Sequence, residues 1–396
     1  MRRTVVLVEP ATEHAGHWQD ALVPLAAAAT AEGHQAVVVT LNGIPTHIHR
    51  TLQEHRALVL TRPRGAGGRL LFTLGKGTHR GAAITGRLLP HRRLPHQVTL
   101  LARCLIEAAS LCTARHVFKC EPEAAVILTA SEALHGLARL LSRTPHLRVV
   151  HEVNTTEDLF VRTLGRLASP HKVVVVCPTR AVEDEVRERF PELRTTVHPF
   201  ALAAPEERIT DDERAQARRA LGIPDKVPVL CVVGGWWPHK DMATTVTALE
   251  RLTQPLHVLV AGDPTDPDLL HRIAAAPQVT LRILPGPLRP VDICQVYAAS
   301  SFTTVLRHPG VGKESGLVAD CARFGVPLLV SDHAPDLTRC VSAWATVVPS
   351  QDPDALADAI DQAATHPPPA PPPTAATDLG LRTPRQMLAF LKELMP

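Results

Sequence analysis

Residues 301–333, SFTTVLRHPGVGKESGLVADCARFGVPLLVSDH, join an apolar strand to a loop holding Gly310, Gly312 and Gly316, then a helix and a second apolar strand. Glycines let the backbone approach a phosphate closely, and the first amides of the following helix, with its dipole, favour a negative charge in front of them. The amides of Gly316 and Leu317 are the candidates to meet an oxyanion, with Gly312, Lys313, Glu314 and Ser315 leading up to them. Lys313 adds a mobile cation. Asp320 lies four residues after Gly316, on the same side of the helix one turn on, within reach of a ligand hydroxyl. The alternative is that the glycines only turn the chain and Asp320 is a solvated or capping carboxylate. A rival chemistry is dinucleotide binding, because G-x-G-x-x-x-G precedes a helix and Asp332 ends the next strand. Against it, the motif stands in the last strand–helix–strand unit instead of opening a domain, and Lys313 and Glu314 separate its second and third glycines.

A second constellation lies in PVLCVVGGWWPHKDMATTVTALERL, residues 228–252. A buried strand ends in Gly234 and Gly235, and a short aromatic loop leads to Lys240 at the start of a helix. A lysine so close to a strand-end glycine can serve as a point charge for a diphosphate. Taken alone, a surface lysine is the simpler reading.

These residues need a framework of parallel strands. Short Val, Leu and Ile runs alternate with amphipathic stretches of helical length, the pattern of βαβ units. The first half predicts strands at 4–9, 35–40, 57–61, 124–129, 147–153 and 172–177, with helices at 16–32, 97–115, 131–142 and 180–190. Residues 65–81 are Gly-rich and read as loop. The second half predicts strands at 227–233, 256–261, 279–284, 302–306 and 327–331, with helices at 241–252, 266–275, 290–299 and 314–324 between them. Strands without polar alternation imply sheets covered on both faces. The expected architecture is α/β, with an N-terminal Rossmann-like domain at 1–200, a polar linker at 201–226, a second Rossmann-like domain at 227–366, and a Pro-rich spacer with a final helix at 367–396. Two such domains would face each other across a cleft, with ligands at the carboxyl ends of the strands.

Composition narrows the function classes. With 396 residues, 45% hydrophobic and 20% charged, the chain reads as globular, not disordered or coiled coil. A net charge of +3 is too small to imply a nucleic-acid partner, and few aromatics argue against base stacking. No apolar run spans a membrane, and the start MRRTVVLVEPATEH turns acidic after one short apolar stretch, so a cytoplasmic protein is expected. The eight cysteines form no C-x-x-C pair and several sit inside apolar runs, which points to buried free thiols.

The order of these pieces resembles the nucleotide-sugar-binding domain of the retaining GT-B glycosyltransferases. GGWWPHKD stands in the place of the family's strand, glycine and lysine segment; LHVLVAGDP resembles its second strand and turn; LRILPGPLRPVDICQVYAASSFTTVLRH precedes the donor loop; and GKESGLVADCARFGVPLLVSD resembles the donor loop and helix ending in G-x-P-x-x-x-S. PSQDPDALADAIDQA resembles the segment after the last strand. In the first half, EPATEHAGHWQDALVPLAAAATAEGHQAVVVT resembles the opening strand, glycine loop and helix, and RVVHEVN the strand whose terminal histidine faces the reacting sugar carbon.

The resemblance implies transfer of a sugar from a nucleoside-diphosphate sugar to an acceptor hydroxyl with retention of anomeric configuration, without a metal or other cofactor. It places Gly16 on the donor phosphates, His17 and Trp18 toward the acceptor, His151 at the reacting sugar, Lys240 on the leaving diphosphate, and Asp320 or Glu314 on sugar or ribose hydroxyls. The C-terminal helix would cross back onto the first domain. The chain departs from the pattern where the family carries an arginine after the strand-end glycine: Gly235 stands there, and Lys313 or Arg307 is left to replace the missing cation. Glu314 and Asp320 also stand closer together than the family's two glutamates. A non-catalytic binding protein is therefore the competing reading. The modest charge gives no reason to place the acceptor in a membrane, so a soluble small molecule or saccharide is expected.

Overall fold

A computed structural model describes residues 3–10, 21–88, 94–118, 122–131, 135–153, 172–203, 208–286 and 288–395. The chain divides into two compact units, one made of Met1–Leu202 with Arg382–Pro396, the other of Ala203–Leu381.

The first unit holds a parallel sheet of β1 (Thr4–Val8), β2 (Gln35–Val39), β3 (Leu58–Leu60), β4 (Ala124–Ile127), β5 (His146–Val149), β6 (Val173–Cys177) and β7 (Arg194–Val197), in the order 3-2-1-4-5-6-7. Val5, Leu7, Val126 and Val174 face one apolar cluster and Val6, Val8, Ile127 and Val175 the other, so the central strands β1, β4 and β6 are buried on both sides. That double burial is why the strands read as unbroken apolar runs. Arg148 on β5 is fully buried, and its guanidinium donates to Glu107 at 2.5 Å and to the Ser131 carbonyl.

The glycine-rich stretch expected as a loop is instead a helix, Gly65–Leu88, paired with a second, Leu94–Val117. Gly68 and Gly75 within it permit close helix packing and do not mark turns. A Cβ on Gly68 would stand 2.8 Å from the Thr113 hydroxyl, and one on Gly75 would stand 2.9 Å from Ile106 and 3.2 Å from the Ala102 carbonyl.

The second unit repeats the design. Its sheet holds β8 (Val229–Val233), β9 (Leu256–Gly262), β10 (Val279–Pro285), β11 (Phe302–Val305), β12 (Leu328–Ser331) and β13 (Thr346–Val348), in the order 10-9-8-11-12-13, all parallel. The order reverses between β8 and β11. At such a switch point the crossover helices leave on opposite faces and open a crevice at the strand ends. The edge strands β7 and β13 escape the periodicity because they are short and only partly buried.

The stretch expected as a linker is part of this second unit. Residues Asp211–Leu221 form a helix opened by a capping box between Thr210 and Glu213 and closed by Gly222 in the left-handed conformation. Ala217 and Leu221 enter the core, while buried Arg218 donates to the carbonyls of Ala299, Asp225 and Val227. The charge density that suggested a linker is the helix's solvent face. The proline-rich stretch also stays with this unit: the Pro371 carbonyl accepts from Arg208 and Ala375 is buried in the core. The final helix, Pro384–Leu394, belongs to the first unit, where Met387, Leu388 and Leu391 complete the core.

Among the described residues the cysteines are free thiols; Cys104, Cys177, Cys231 and Cys321 are buried, whereas Cys294 and Cys340 are exposed. Burial pushes the Cys177 thiol up to about 12 and that of Cys231 to about 11. Among the same residues no helix is long and apolar enough to cross a membrane.

Candidate functional site

The carboxyl ends of β8, β9 and β10 come together on glycines. Gly234 (φ +86°) follows β8, and Gly262 (φ +133°) ends β9 so close that a Cβ there would stand 2.8 Å from the Gly234 backbone. Gly286 in turn donates to the Gly262 carbonyl. This removes side chains from the rim of the crevice beside β8. A side chain at Gly235 would meet the Trp237 indole at 3.0 Å, so an aromatic ring covers the place where the resemblance expects an arginine.

Lys240 returns to the same point. Its ammonium donates to the Val233 carbonyl at 3.0 Å and lies 3.1 Å from where a Cβ on Gly234 would be. The chain is held there because Lys240 pairs with Arg307 in an antiparallel bridge, and Asp241, which caps the next helix, donates its amide to the Leu306 carbonyl at 3.2 Å. The bridge ties the ends of β8 and β11 together at the switch point.

Arg307, directly after β11, is buried, and its guanidinium donates to the carbonyls of Lys313 and Glu314. One cation therefore sets the course of the loop that carries Gly312, Lys313, Glu314 and Ser315. Its backbone amide donates to the Ser331 hydroxyl, which also bonds Nδ1 of His333 at 2.8 Å. Burial, with the Arg307 charge, lowers Lys240 to about 8 and His333 to about 4. Burial also lowers Arg307 to about 10. Neither Lys240 nor Arg307 pairs with a carboxylate among the described residues. Two buried cations side by side, neither ion-paired and with only the Glu314 charge favouring Arg307, make a site that favours an anion.

The helix Gly316–Phe324 begins at this loop. Ser315 occupies its N-cap position, yet its side chain makes no capping bond; Oγ is buried and without a partner. A capping serine ordinarily accepts from the second or third amide of the helix. Here that role is unfilled, and the first intrahelical bond belongs to Val318. The amides of Gly316 and Leu317 precede it, and a Cβ added at Gly316 would meet nothing within 4 Å. Nε2 of His333 and Nε1 of Trp236 are likewise buried without partners.

Of the residues expected at the site, Gly234, Gly235 and Lys240 end one strand of the switch point, and Gly312, Lys313, Glu314, Ser315, Gly316 and Leu317 form the loop and helix start beyond the other. Asp320 lies one turn along that helix. Its carboxylate accepts from the fully buried Tyr297 hydroxyl at 3.2 Å and pairs with Arg323 at 3.5 Å, so it holds the helix against its neighbour. Asp332, which a dinucleotide reading needs for a ribose, is engaged by the Ser350 amide at 2.7 Å and its hydroxyl at 2.6 Å. His151, in the first unit, donates Nε2–H to the Leu128 carbonyl at 2.9 Å and stands edge-on to Phe200. Gly16, His17 and Trp18 lie outside the described residues. Among the described residues no three His, Cys, Asp or Glu side chains cluster as metal ligands. His333 and Ser331 were not among the expected site residues; both stand at the end of an apolar strand, and Ser331 is the serine that closes G-x-P-x-x-x-S.

Solved structures share this design along the whole chain. The Anabaena protein HepE in complex with UDP-glucose aligns with a TM-score of 0.66 at 13% identity, covering 99% of this chain and 100% of that one. The chain has the GT-B fold. A glycosyltransferase from Rickettsia africae aligns over 99% of this chain and 93% of its own with a TM-score of 0.65 at 12% identity. The N-terminal domain of Candida albicans trehalose-6-phosphate phosphatase aligns over 98% and 97% with a TM-score of 0.63 at 9% identity. No family model and no curated protein matches the sequence. The GT-B fold explains the two sheets that share the order 3-2-1-4-5-6, the first with one strand more, and the terminal helix that rejoins the first unit. It leaves the chemistry to the residues at the strand ends.

Proposed function

We propose that the protein is a glycosyltransferase that binds a nucleoside-diphosphate sugar in its second unit and transfers the sugar, with retention, to an acceptor hydroxyl. The observation that carries this reading is the pair of buried cations, Lys240 and Arg307, neither held in an ion pair, at the switch point beside a helix start whose capping hydroxyl is unpartnered. A diphosphate supplies what each lacks. Its oxygens would accept from the Lys240 ammonium, the Ser315 hydroxyl and the amides of Gly316 and Leu317, and the helix dipole would stabilise the charge that grows as the diphosphate leaves. In this reading no metal is needed to neutralise the leaving group.

Arg307 answers the absence of an arginine at Gly235. Its charge is close enough to lower Lys240, and its grip on the carbonyls of Lys313 and Glu314 holds the loop that carries the donors. Gly16 on the phosphates, His151 at the reacting sugar carbon, and His17 and Trp18 toward the acceptor rest on the sequence resemblance. Asp320 is assigned to positioning the helix through Tyr297.

HepE is solved with UDP-glucose, which makes UDP the first probe. Calorimetry with UDP, GDP and dTDP is expected to show binding of one nucleotide and none of NADH. Mass spectrometry with the matching sugar donor should show slow release of free sugar that persists with EDTA, and NMR of the transferred sugar should show a retained anomer. NADH binding in place of every nucleoside diphosphate overturns the proposal. The indole over Gly235 favours one competitor, a non-catalytic binding protein, which predicts nucleotide binding with neither hydrolysis nor transfer.

A further inference from the structure

The helix Gly65–Leu88 carries three distinct faces. Gly68, Leu71, Gly75 and Ala82 are buried on the side of the partner helix Leu94–Val117. On a second face Leu70, Leu74 and Ile84 are 61%, 49% and 59% exposed. With Gly77 and Gly81 they recur at steps of three and four, which makes one continuous stripe. A Cβ added to either glycine would meet nothing within 4 Å, so the stripe is open along its length. Beside it runs a third face of Arg69, Lys76, Arg80 and Arg87, none of them in an ion pair among the described residues. No Asp or Glu occurs between Glu54 and Glu107, so nothing nearby in sequence offsets these cations. The whole-chain charge of +3 conceals this local concentration.

We infer that this face docks on an anionic phospholipid bilayer. An interfacial helix needs aliphatic side chains to enter the acyl boundary and cations beside them to meet the headgroups, and long Lys and Arg stems reach outward along the apolar surface. Both stripes are present, adjacent and parallel to the helix axis. A second copy of the chain fits less well, because mating this face to itself opposes cation to cation. Nucleic acid would use the cations and leave the aliphatic stripe without a role, since sequence-tolerant binding there relies on stacked aromatic rings. The inference uses residues of the first unit alone and stands apart from donor binding.

The test is co-sedimentation of the full chain with vesicles of equal parts phosphatidylcholine and phosphatidylglycerol, against phosphatidylcholine alone. The expected result is binding to the anionic vesicles that weakens as salt is raised. The triple variant Arg69→Gln/Lys76→Gln/Arg80→Gln should bind about a hundredfold more weakly. The pair Leu74→Gln/Ile84→Gln should lose binding to the same vesicles while retaining the cations. All five side chains lie off the buried face, and an unchanged melting temperature checks that both variants fold. Equal binding to both vesicle types, wild-type binding by either variant, tighter binding to polyuridylate than to vesicles, or a dimer in solution that the Leu74/Ile84 pair abolishes would each overturn the inference. UDP titration of the same variants should match the wild type, so a failed donor assignment is read separately.

Discussion

A lysine whose ammonium rests on a strand-end carbonyl, next to a buried arginine, is costly to keep charged. Burial and the Arg307 charge lower Lys240 from 10.5 to about 8. Between those values the unfolded chain binds the proton and the folded chain does not, so this residue makes stability rise with pH from about 8 to 10.5. An anion beside the ammonium favours its proton, so affinity for UDP runs the other way. It should fall as pH rises above about 8, approaching about tenfold per pH unit for one linked proton. Lys240→Met should bind UDP weakly with a flat pH profile and melt at a higher temperature below pH 8. Calorimetry across pH reads the first and thermal denaturation the second; a variant that keeps the wild-type pH profile sinks the assignment. Gly262 tests the glycine rim. Its φ of +133° and the 2.8 Å approach to Gly234 leave no room for a Cβ, so Gly262→Ala should cost about 1–3 kcal/mol of stability and weaken UDP binding by shifting the end of β8.

At the scale of elements, one kind of residue does two opposite jobs in the helix Gly65–Leu88. Gly68 and Gly75 face the partner helix, where a Cβ would meet neighbouring atoms within 3 Å. Gly77 and Gly81 face open space. Gly75→Ala should therefore destabilise the first unit by about 1–3 kcal/mol through overpacking, whereas Gly77→Ala should stabilise it by about 0.5–1 kcal/mol, since alanine is the better helix former. Chemical denaturation of the two variants gives the signs directly, and equal signs would refute this packing. The same fact explains what the sequence could and could not reveal. Strands buried on both faces, such as Val173–Cys177 and Val229–Val233, announce themselves as apolar runs because nothing polar is allowed on either side. The glycine helix does not, because composition registers glycine's flexibility and not the close helix contact that requires it. The helix Asp211–Leu221 was hidden for a different reason, since its two core residues are diluted by a charged solvent face. At the site, Gly234, Lys240 and Gly316 were legible as glycines and a lysine at strand ends. The grip of Arg307 on two loop carbonyls was not, because carbonyl partners leave no mark in a sequence.

On the scale of the whole molecule, the chain leaves the first unit at Leu202, completes the second, and returns at Arg382, where the two residues form a parallel bridge. The returning helix is integral to the first core. Leu388 is fully buried among residues that include Leu25, Val126 and Val176, and Lys392 and Arg385 reach Glu32 on the adjoining helix at 3.2 and 3.3 Å. Its contribution is hydrophobic first, because the two ion pairs involve partly or largely exposed groups that add little. Leu388→Ala removes a buried isobutyl group and leaves a cavity, at a cost of about 2–5 kcal/mol. Each unit has its own core, so that cost should fall on the first unit alone. Hydrogen exchange should show lost protection in β1, β4 and β6, with β8, β11 and β12 unchanged, and UDP affinity should match the wild type because Lys240, Arg307 and the Ser315–Leu317 helix start lie in the other unit. Loss of protection in β8 and β11, or loss of UDP binding at a temperature where Leu388→Ala remains folded, would show that the C-terminal helix supports the second unit as well.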